Sequence, residues 1–217
     1  MEENKFWNYM ELEKISPEEL DYLLADGWRH FGTFFFRDMM SWNQGKLSEI
    51  IPLRINLARF KFSKSQRKTI RKNGDTRMIF REAFIDEEKE NLFYKHCVRF
   101  THNVPQSIYD FLSPHPARVP CHTVECCLFD ENNKLYAVSF LDVGAQSSSS
   151  VYAMFDPAYS KRSPGLHTLL AEIMFSLENK LSYLYTGYAF KESSHYDYKK
   201  NFQGTEYYNW NGIWRIL

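Results

Sequence analysis

Residues 163–190 read "SPGLHTLLAEIMFSLENKLSYLYTGYAF", and the fold turns on them. Leu166, Leu169, Leu170, Ile173, Met174 and Leu177 recur at helical spacing and form the buried face of an amphipathic helix. Ser163 stands where a cap belongs, and Pro164 suits the first helical position, where a missing N–H is harmless. "LSYLYTGYAF", residues 181–190, is the strand that follows. Upstream, "HTVECCLFD" (122–130), the turn "ENN" and "KLYAVSFLDVG" (134–144) make a hairpin. "SSSSVYAMFDP" (147–157) gives a third strand, its four serines suiting a hairpin loop. Downstream, "EYYNWNGIWRIL" (206–217) offers a last strand.

This order, three antiparallel strands, a helix, a strand, a loop and a final strand, is similar to that of the GNAT acyltransferase core. The resemblance implies an α+β fold with a mixed, mostly antiparallel sheet flanked by helices. Residues 76–217 would form this core, and residues 1–75 an N-terminal region packed on it as one compact unit.

In that first region "SPEELDYLLADG" (16–27) is a helix. Ser16 caps it, Pro17 opens it, Glu19 completes a capping box and Gly27 sits at the C-terminal cap. "WRHFGTFFFR" (28–37) reads as one strand, "DMMSWNQGKLSE" (38–49) as a loop, and "IIPLRINLARF" (50–60) as a strand after Pro52. Lys61–Arg77 holds seven Lys or Arg against one acid, Asp75, and a short helix is expected over Lys64–Lys72. "MIFREA" (78–83) is strand-like. "DEEKENLFYKHCVRFTH" (86–102) is a helix with Leu92, Phe93, His96, Cys97 and Phe100 on one stripe, and "QSIYDFL" (106–112) a shorter one.

Net charge is +0, so the molecule as a whole does not attract polyanions, and any basic site must be a local patch. Lys61–Arg77 is such a patch. Its near lack of acids, with Ser65 and Gln66 as neutral donors, suits a polyanion or an acidic peptide; the alternative is a solvated helix face. An aromatic share of 17% serves a core or base stacking equally well. No apolar run reaches the roughly 20 residues of a membrane span. "MEENKFWNYMELEK" lacks the apolar segment of a secretory leader, so no membrane and a cytoplasmic location are expected. Cys97, Cys121, Cys126 and Cys127 make a poor disulfide framework and read as reduced thiols. Cys121, His122, Cys126 and Cys127 alternate faces along a strand, so no zinc or iron–sulfur site is expected there. His96 and Cys97 read as core. There is no Gly-x-Ser-x-Gly, His-Glu-x-x-His, P-loop or Gly-x-Gly-x-x-Gly. Nothing in the sequence specifies an oligomeric state.

"KRSPGLH" (161–167) can be an ordinary helix start or a phosphate-binding one. It half-matches the pyrophosphate loop of acetyl-CoA enzymes, Arg/Gln-x-x-Gly-x-Gly/Ala: Arg162 and Gly165 fit, and His167 takes the last place.

Four segments together resemble the aminoacyl-tRNA–protein transferases, the family of arginyltransferases and of bacterial leucyltransferases acting on N-terminal Asp and Glu. Gly27, Arg29, Gly32 and Arg37 fit its "GxRxxGxxxYR" start. Pro52, Arg54, Ile55, Phe60, Ser63, Ser65, Gln66, Arg67, Arg71 and Asn73 fit "PxRIxxxxFxxSxSQRRxxRxN". Ser163 and Gly165 fit a "Ser-Leu-Gly" helix start, and Tyr183, Leu184, Tyr185, Gly187, Tyr188, Tyr198, Lys199 and Phe202 fit the tail "YLYLGYxIxxxxKMxYKxxF". The chain departs from the pattern in three places. Residues 38–50 lack the family's cysteine cluster and so the metal tied to it, "SPG" replaces "SLG", and "HYD" (195–197) replaces "KM".

The resemblance implies transfer of Arg or Leu from a charged tRNA to the α-amine of a protein with an acidic N-terminal residue, marking it for degradation. Aminoacyl-tRNA would be co-substrate, with no further cofactor. Tyr188, Lys199 and Asp156 are the catalytic candidates, with Glu125 a further acid. Ser163, Gly165, His167, Tyr185, Gly187 and Tyr198 would flank the donor ester, because a GNAT sheet splays where helix start and strand meet. Arg54, Ser65, Gln66, Arg67, Arg71 and Lys72 would contact tRNA or the acidic acceptor. Two other readings stay open: an acetyl-CoA-dependent GNAT enzyme, and a binding module without chemistry.

Overall fold

A computed structural model describes residues 7–43, 45–101 and 103–217, the side chains of His195 and Tyr196 excepted. Residues 1–6, Gln44, His102 and the first two side chains of "HYD" lie outside the described residues. The elements run β1 (Trp7–Glu11), α1 (Pro17–Ala25), β2 (Arg29–Phe31), β3 (Phe34–Asp38), β4 (Met40–Asn43), β5 (Lys46–Asn56), α2 (Lys64–Lys72), β6 (Arg77–Glu82) and α3 (Glu87–Cys97). They continue with β7 (Thr123–Phe129), β8 (Leu135–Val143), β9 (Ser147–Phe155), α4 (Pro164–Glu178), β10 (Tyr183–Phe190), β11 (Thr205–Tyr208) and β12 (Trp214–Ile216). "QSIYDFL" contains only a 3-10 turn, Ile108–Asp110.

One nine-stranded sheet has the order β12-β11-β5-β10-β9-β8-β7-β6, with β4 paired to β5 off this path. Its one parallel pair is β9 with β10; the other pairs are antiparallel. The meander, crossover helix and parallel strand are those expected from the sequence. β5 contributes an inner strand between β10 and β11, so a cut at residue 75 would run through one sheet. α4 covers one face, where Leu169, Leu170 and Ile173 pack with Leu141, Leu184 and Phe202. α3 covers the other, where Leu92, Phe93 and Cys97 meet Val138, Phe140 and Met154.

Local chemistry explains most boundaries. Ser16 and Glu19 form a reciprocal capping box, as do Ser63 and Gln66. Gly27, at φ +87, supplies the left-handed residue that ends α1.

Several expectations are corrected. "WRHFGTFFFR" is two strands, because Gly32 at φ +53 turns the chain between β2 and β3. The predicted loop 38–49 is mostly the β4–β5 hairpin. The serine run is not a loop. Ser147, Ser148 and Ser149 are buried in β9, where Ser148 shares a 2.7 Å hydrogen bond with Ser176. Ser163 does not cap α4 with its side chain; it is left-handed at φ 54 and closes the preceding 3-10 turn. Leu177 and Phe100 are exposed, and Phe100 lies beyond α3, which ends at Cys97. The C-terminal segment is a hairpin, β11–β12.

Candidate active site

β9 and β10 pair only from Ser147–Tyr183 to Ser149–Tyr185 and then part. Each strand carries one extra residue at that level: Val151 against β8 and Thr186 against β5. Such bulges bend and twist a strand, so two facing ones open the sheet. The start of α4 points into the opening, where Ser163, Gly165 and Leu166 line a cleft of about 1310 Å³. Gly165 and Leu166, whose N–H groups lie in the first turn after Pro164 and have no intrahelical acceptor, are among the lining residues.

Most of the buried polar atoms without a protein partner belong to residues that line this cleft: Arg29 Nε, Asp38 Oδ1, Tyr152 Oη, both Glu172 carboxylate oxygens and Thr186 Oγ1. Native interiors rarely leave such groups unmade, so their concentration marks a ligand site. Glu172 is 1% exposed, and burial pushes its carboxyl up to about 7, against the pull of the Ser139 and Ser150 hydroxyls and the Lys199 charge. Neither serine completes a hydrogen bond to it. Lys199 also lines the cleft, and its Nζ lies 3.3 Å from where a Cβ on Gly187 would stand. Burial, and then the Arg29 charge, lower its ammonium to about 8, while Glu172 opposes them. A carboxyl near 7 and an ammonium near 8 thus line the same cleft, both shifted toward neutral pH by burial.

Arg29 is nearly buried. Its guanidinium donates to the carbonyls of Trp28 (2.6 Å) and Leu53 (3.4 Å) and stacks on Tyr185 and Tyr188. It thus sets a fixed positive charge at the end of the cleft where Lys199 lies.

The other expected residues divide. Gly187, Lys199, Tyr198, Ser163, Gly165, Ser65 and Gln66 line the cleft. Gly187 has φ +89, and any side chain there would crowd Lys199. Tyr188, a catalytic candidate, lines it too, and its hydroxyl proton is shared between the carbonyls of Gly27 (3.0 Å) and Phe36 (3.3 Å). Asp156 is outside. It caps Ala158 N–H at 2.9 Å and pairs with Lys134 at 3.3 Å, a turn-stabilising role in place of the catalytic one. Glu125 is enclosed by Arg81 and Lys89.

His167 is buried outside the lining, and burial with the nearby Arg162 charge lowers it to about 4, so it does not flank a donor. Tyr185 packs away from the cleft against Leu20, Leu24 and Cys121. Arg54 is not on the basic surface: it pairs with Glu206 at 2.8 Å between the Tyr183 and Trp214 rings. Arg67, Arg71 and Lys72 are exposed on α2, beside the cleft rather than in it. Asn73 ties that helix to the carbonyl of Arg162 at 3.0 Å, and Arg162 forks onto Asp75 at 2.7 and 2.6 Å. The pyrophosphate-loop arginine is therefore engaged within the protein.

Glu172 and Arg29 were missed as site residues. Glu172 lies off the stripe from Leu166 to Leu177 that reads as the buried face, on the side that local pattern leaves to solvent, so no signal in the sequence marked it. Arg29 was visible only as a motif position.

All four cysteines are free and buried. Among the described residues one cluster, His30, Cys121 and Asp142, has metal-ligand spacing. His30 presents Nδ1 to the Gly32 carbonyl (2.9 Å) and Nε2 to Asp142 (2.8 Å). Two acceptors require a proton on each nitrogen. Burial opposes that charge, but the Asp142 carboxylate wins and raises the imidazole above its usual range. An ion pair thus fills the position a metal would need.

Comparison with known proteins agrees with this geometry. Among solved structures, FemX superposes with a TM-score of 0.52 at 12% identity, over 87% of this chain and 65% of that one. L-PGS from Bacillus licheniformis gives 0.50 at 10%, over 84% and 54%. The chain spans between half and two thirds of those two, and at these identities the likeness concerns the fold alone. An aspartate/glutamate leucyltransferase of Campylobacter jejuni is 29% identical over 203 residues, 91% of this chain and 83% of that protein. One from Leptospira interrogans is 28% identical, over 87% and 73%. Residues 1–68 match the N-terminal model of arginine-tRNA-protein transferase, and residues 66–209 match the C-terminal one. With both halves in order along nearly the whole chain, this protein belongs to the arginine-tRNA-protein transferase family of aminoacyltransferases.

Proposed function

We propose that the protein moves an aminoacyl group from the 3′ end of a charged tRNA to the N-terminal α-amine of an acceptor protein, in the cleft where β9 and β10 part. The observation that carries this is that Glu172, with no hydrogen-bond partner, and Lys199, set against the side-chain-free Gly187, line one cleft in a chain of this family. The donor ester is already activated, so the chemistry needs alignment and proton transfer rather than an enzyme nucleophile. The acceptor amine, with a pKa of about 8, attacks the ester carbonyl. The C–N bond forms as the carbonyl oxygen takes up charge, which the N–H groups at the start of α4 face. The amine's surplus proton passes to the Glu172 carboxylate. The bond to the ribose oxygen then breaks, and that oxygen takes a proton from the Lys199 ammonium.

Arg67, Arg71 and Lys72 on the rim attract tRNA phosphate, and Ser65 and Gln66 contact the strand at the cleft's edge. Arg29 draws an acidic N-terminal residue of the acceptor into the cleft, which would make the product a degradation signal. The test is an assay of the purified protein with labelled Arg-tRNA, Leu-tRNA or acetyl-CoA and peptides beginning with Asp, Glu, Lys or Arg. Transfer from an aminoacyl-tRNA to the Asp and Glu peptides is expected. Transfer only from acetyl-CoA, or binding with no transfer, overturns the proposal.

A further inference from the structure

The small sheet β1-β3-β2 has one face committed to the body of the protein and one that is not. Phe35, 1% exposed, and His30 stack at 4.6 Å on the committed face. Register places the residues of the other face: Tyr9 opposite Phe36, and Phe36 opposite Arg29; Glu11 opposite Phe34, and Phe34 opposite Phe31. Three of its rings are left open, Tyr9 at 55%, Phe34 at 47% and Phe31 at 36%. They form a continuous series. Tyr9 and Phe34 lie 5.4 Å apart at 22°, Phe34 and Phe36 6.3 Å at 24°, and Phe31 and Phe36 5.1 Å. The inner end enters the cleft: Phe31 and Phe36 line it, and Phe36 meets the Tyr188 ring edge-on at 5.8 Å. Tyr188 adjoins Gly187, the point facing Lys199.

The near-parallel Tyr9, Phe34 and Phe36 rings, on two adjacent strands, are a stacking platform for flat, unpaired bases, and the Phe31 ring at the inner end is tilted 47° from Phe36. Two carboxylates on the same face, Glu11 and Asp38, would repel phosphate. An occupant must therefore present its base faces inward and its backbone outward, and it must end in a group narrow enough to reach Gly187. We propose that Tyr9, Phe34, Phe36 and Phe31 stack the unpaired 3′-terminal nucleotides of the donor tRNA and lead its esterified end to the cleft. This rests on the transfer reading above and adds the route by which the donor enters.

The test compares binding of one uncharged tRNA with an intact 3′ end and of the same tRNA lacking its last three nucleotides. The proteins are wild type, Tyr9→Ala with Phe34→Ala, and Tyr9→Leu with Phe34→Leu. Wild type should prefer the intact tRNA about tenfold or more. Both double variants should lose that preference, because leucine keeps the apolar area and removes the ring. The loss should not change with salt, unlike a loss from the basic helix. A preference retained in both variants overturns the platform, and continued transfer from charged tRNA would show that the functional reading survives it. A raised KM for acceptor peptide with tRNA preference intact gives the face to the acceptor, and a dimer that the variants dissociate gives it to a second copy; either overturns the proposal. Absence of binding to either tRNA, with no transfer, removes the functional reading itself.

Discussion

Glu125 on β7 and Glu172 on α4 are equally shut from solvent, at 0% and 1% exposure, and their surroundings are opposite. Glu125 accepts from Arg81 at 2.7 Å and Lys89 at 3.2 Å, and the Phe84 N–H approaches at 3.4 Å. Glu172 has no hydrogen bond. A buried carboxylate with every partner in place holds structure together. One left without partners is either a defect or a group whose partner arrives with substrate. The proposed transfer puts Glu172 in the second class, supported by its place in the cleft with Lys199.

The largest test of that contrast is Lys89→Met. It removes a wholly buried ammonium from Glu125 and should destabilise the fold by ~3–5 kcal/mol, read by urea or thermal unfolding. Glu172→Gln should leave the unfolding midpoint unchanged or raised and slow transfer by about 10²-fold or more. If it instead lowered stability as Lys89→Met does, the two carboxylates would be alike and the contrast would be lost. Gly187→Ala puts a Cβ against Lys199 at a φ of +89; a fall in kcat of about tenfold and a stability loss of ~1 kcal/mol are expected.

The pH profile sharpens the same pair. Glu172 must be ionised to accept a proton, so the rate should rise as pH passes about 7. Lys199 must stay protonated to donate, so the rate should fall as pH passes about 8. The two groups interact, so the limbs belong to the pair; the acceptor amine adds its own ionisation at about 8 to the acid limb, so Glu172→Gln should make that limb shallower by one ionisation and leave the amine's part in place. The smallest effect is on the rim. Arg67→Ala with Arg71→Ala should weaken tRNA binding severalfold and flatten its salt dependence by about two units of slope. Unchanged affinity would remove that helix from the interface.

Much of this was legible beforehand. The capping boxes at Ser16 and Ser63, the helix Lys64–Lys72 and the helix-to-strand passage 163–190 depend on neighbours within a few residues, which is why local pattern found them. Gly187 and Lys199 came from a family motif. Asp156, His167, Tyr185 and Arg54 have suitable chemistry but are turned to Lys134, a buried helix flank, α1 and Glu206 respectively. The direction of a side chain at a strand end or helix start is set by what packs on it, and that partner is distant in sequence.

The sequence by itself determined the element order, the basic helix, the family motifs and the lack of a cysteine cluster in residues 38–50, because these are properties of short segments and their succession. Tertiary structure alone decided that β5 sits inside the main sheet, that facing bulges at Val151 and Thr186 open it, and that Glu172, Arg29 and Lys199 share the opening. The physical reason is burial. Removing a carboxyl and an ammonium from water moves their proton affinities toward neutrality, against the attraction between their charges, and only the packed fold brings residues 29, 172 and 199 to one cleft.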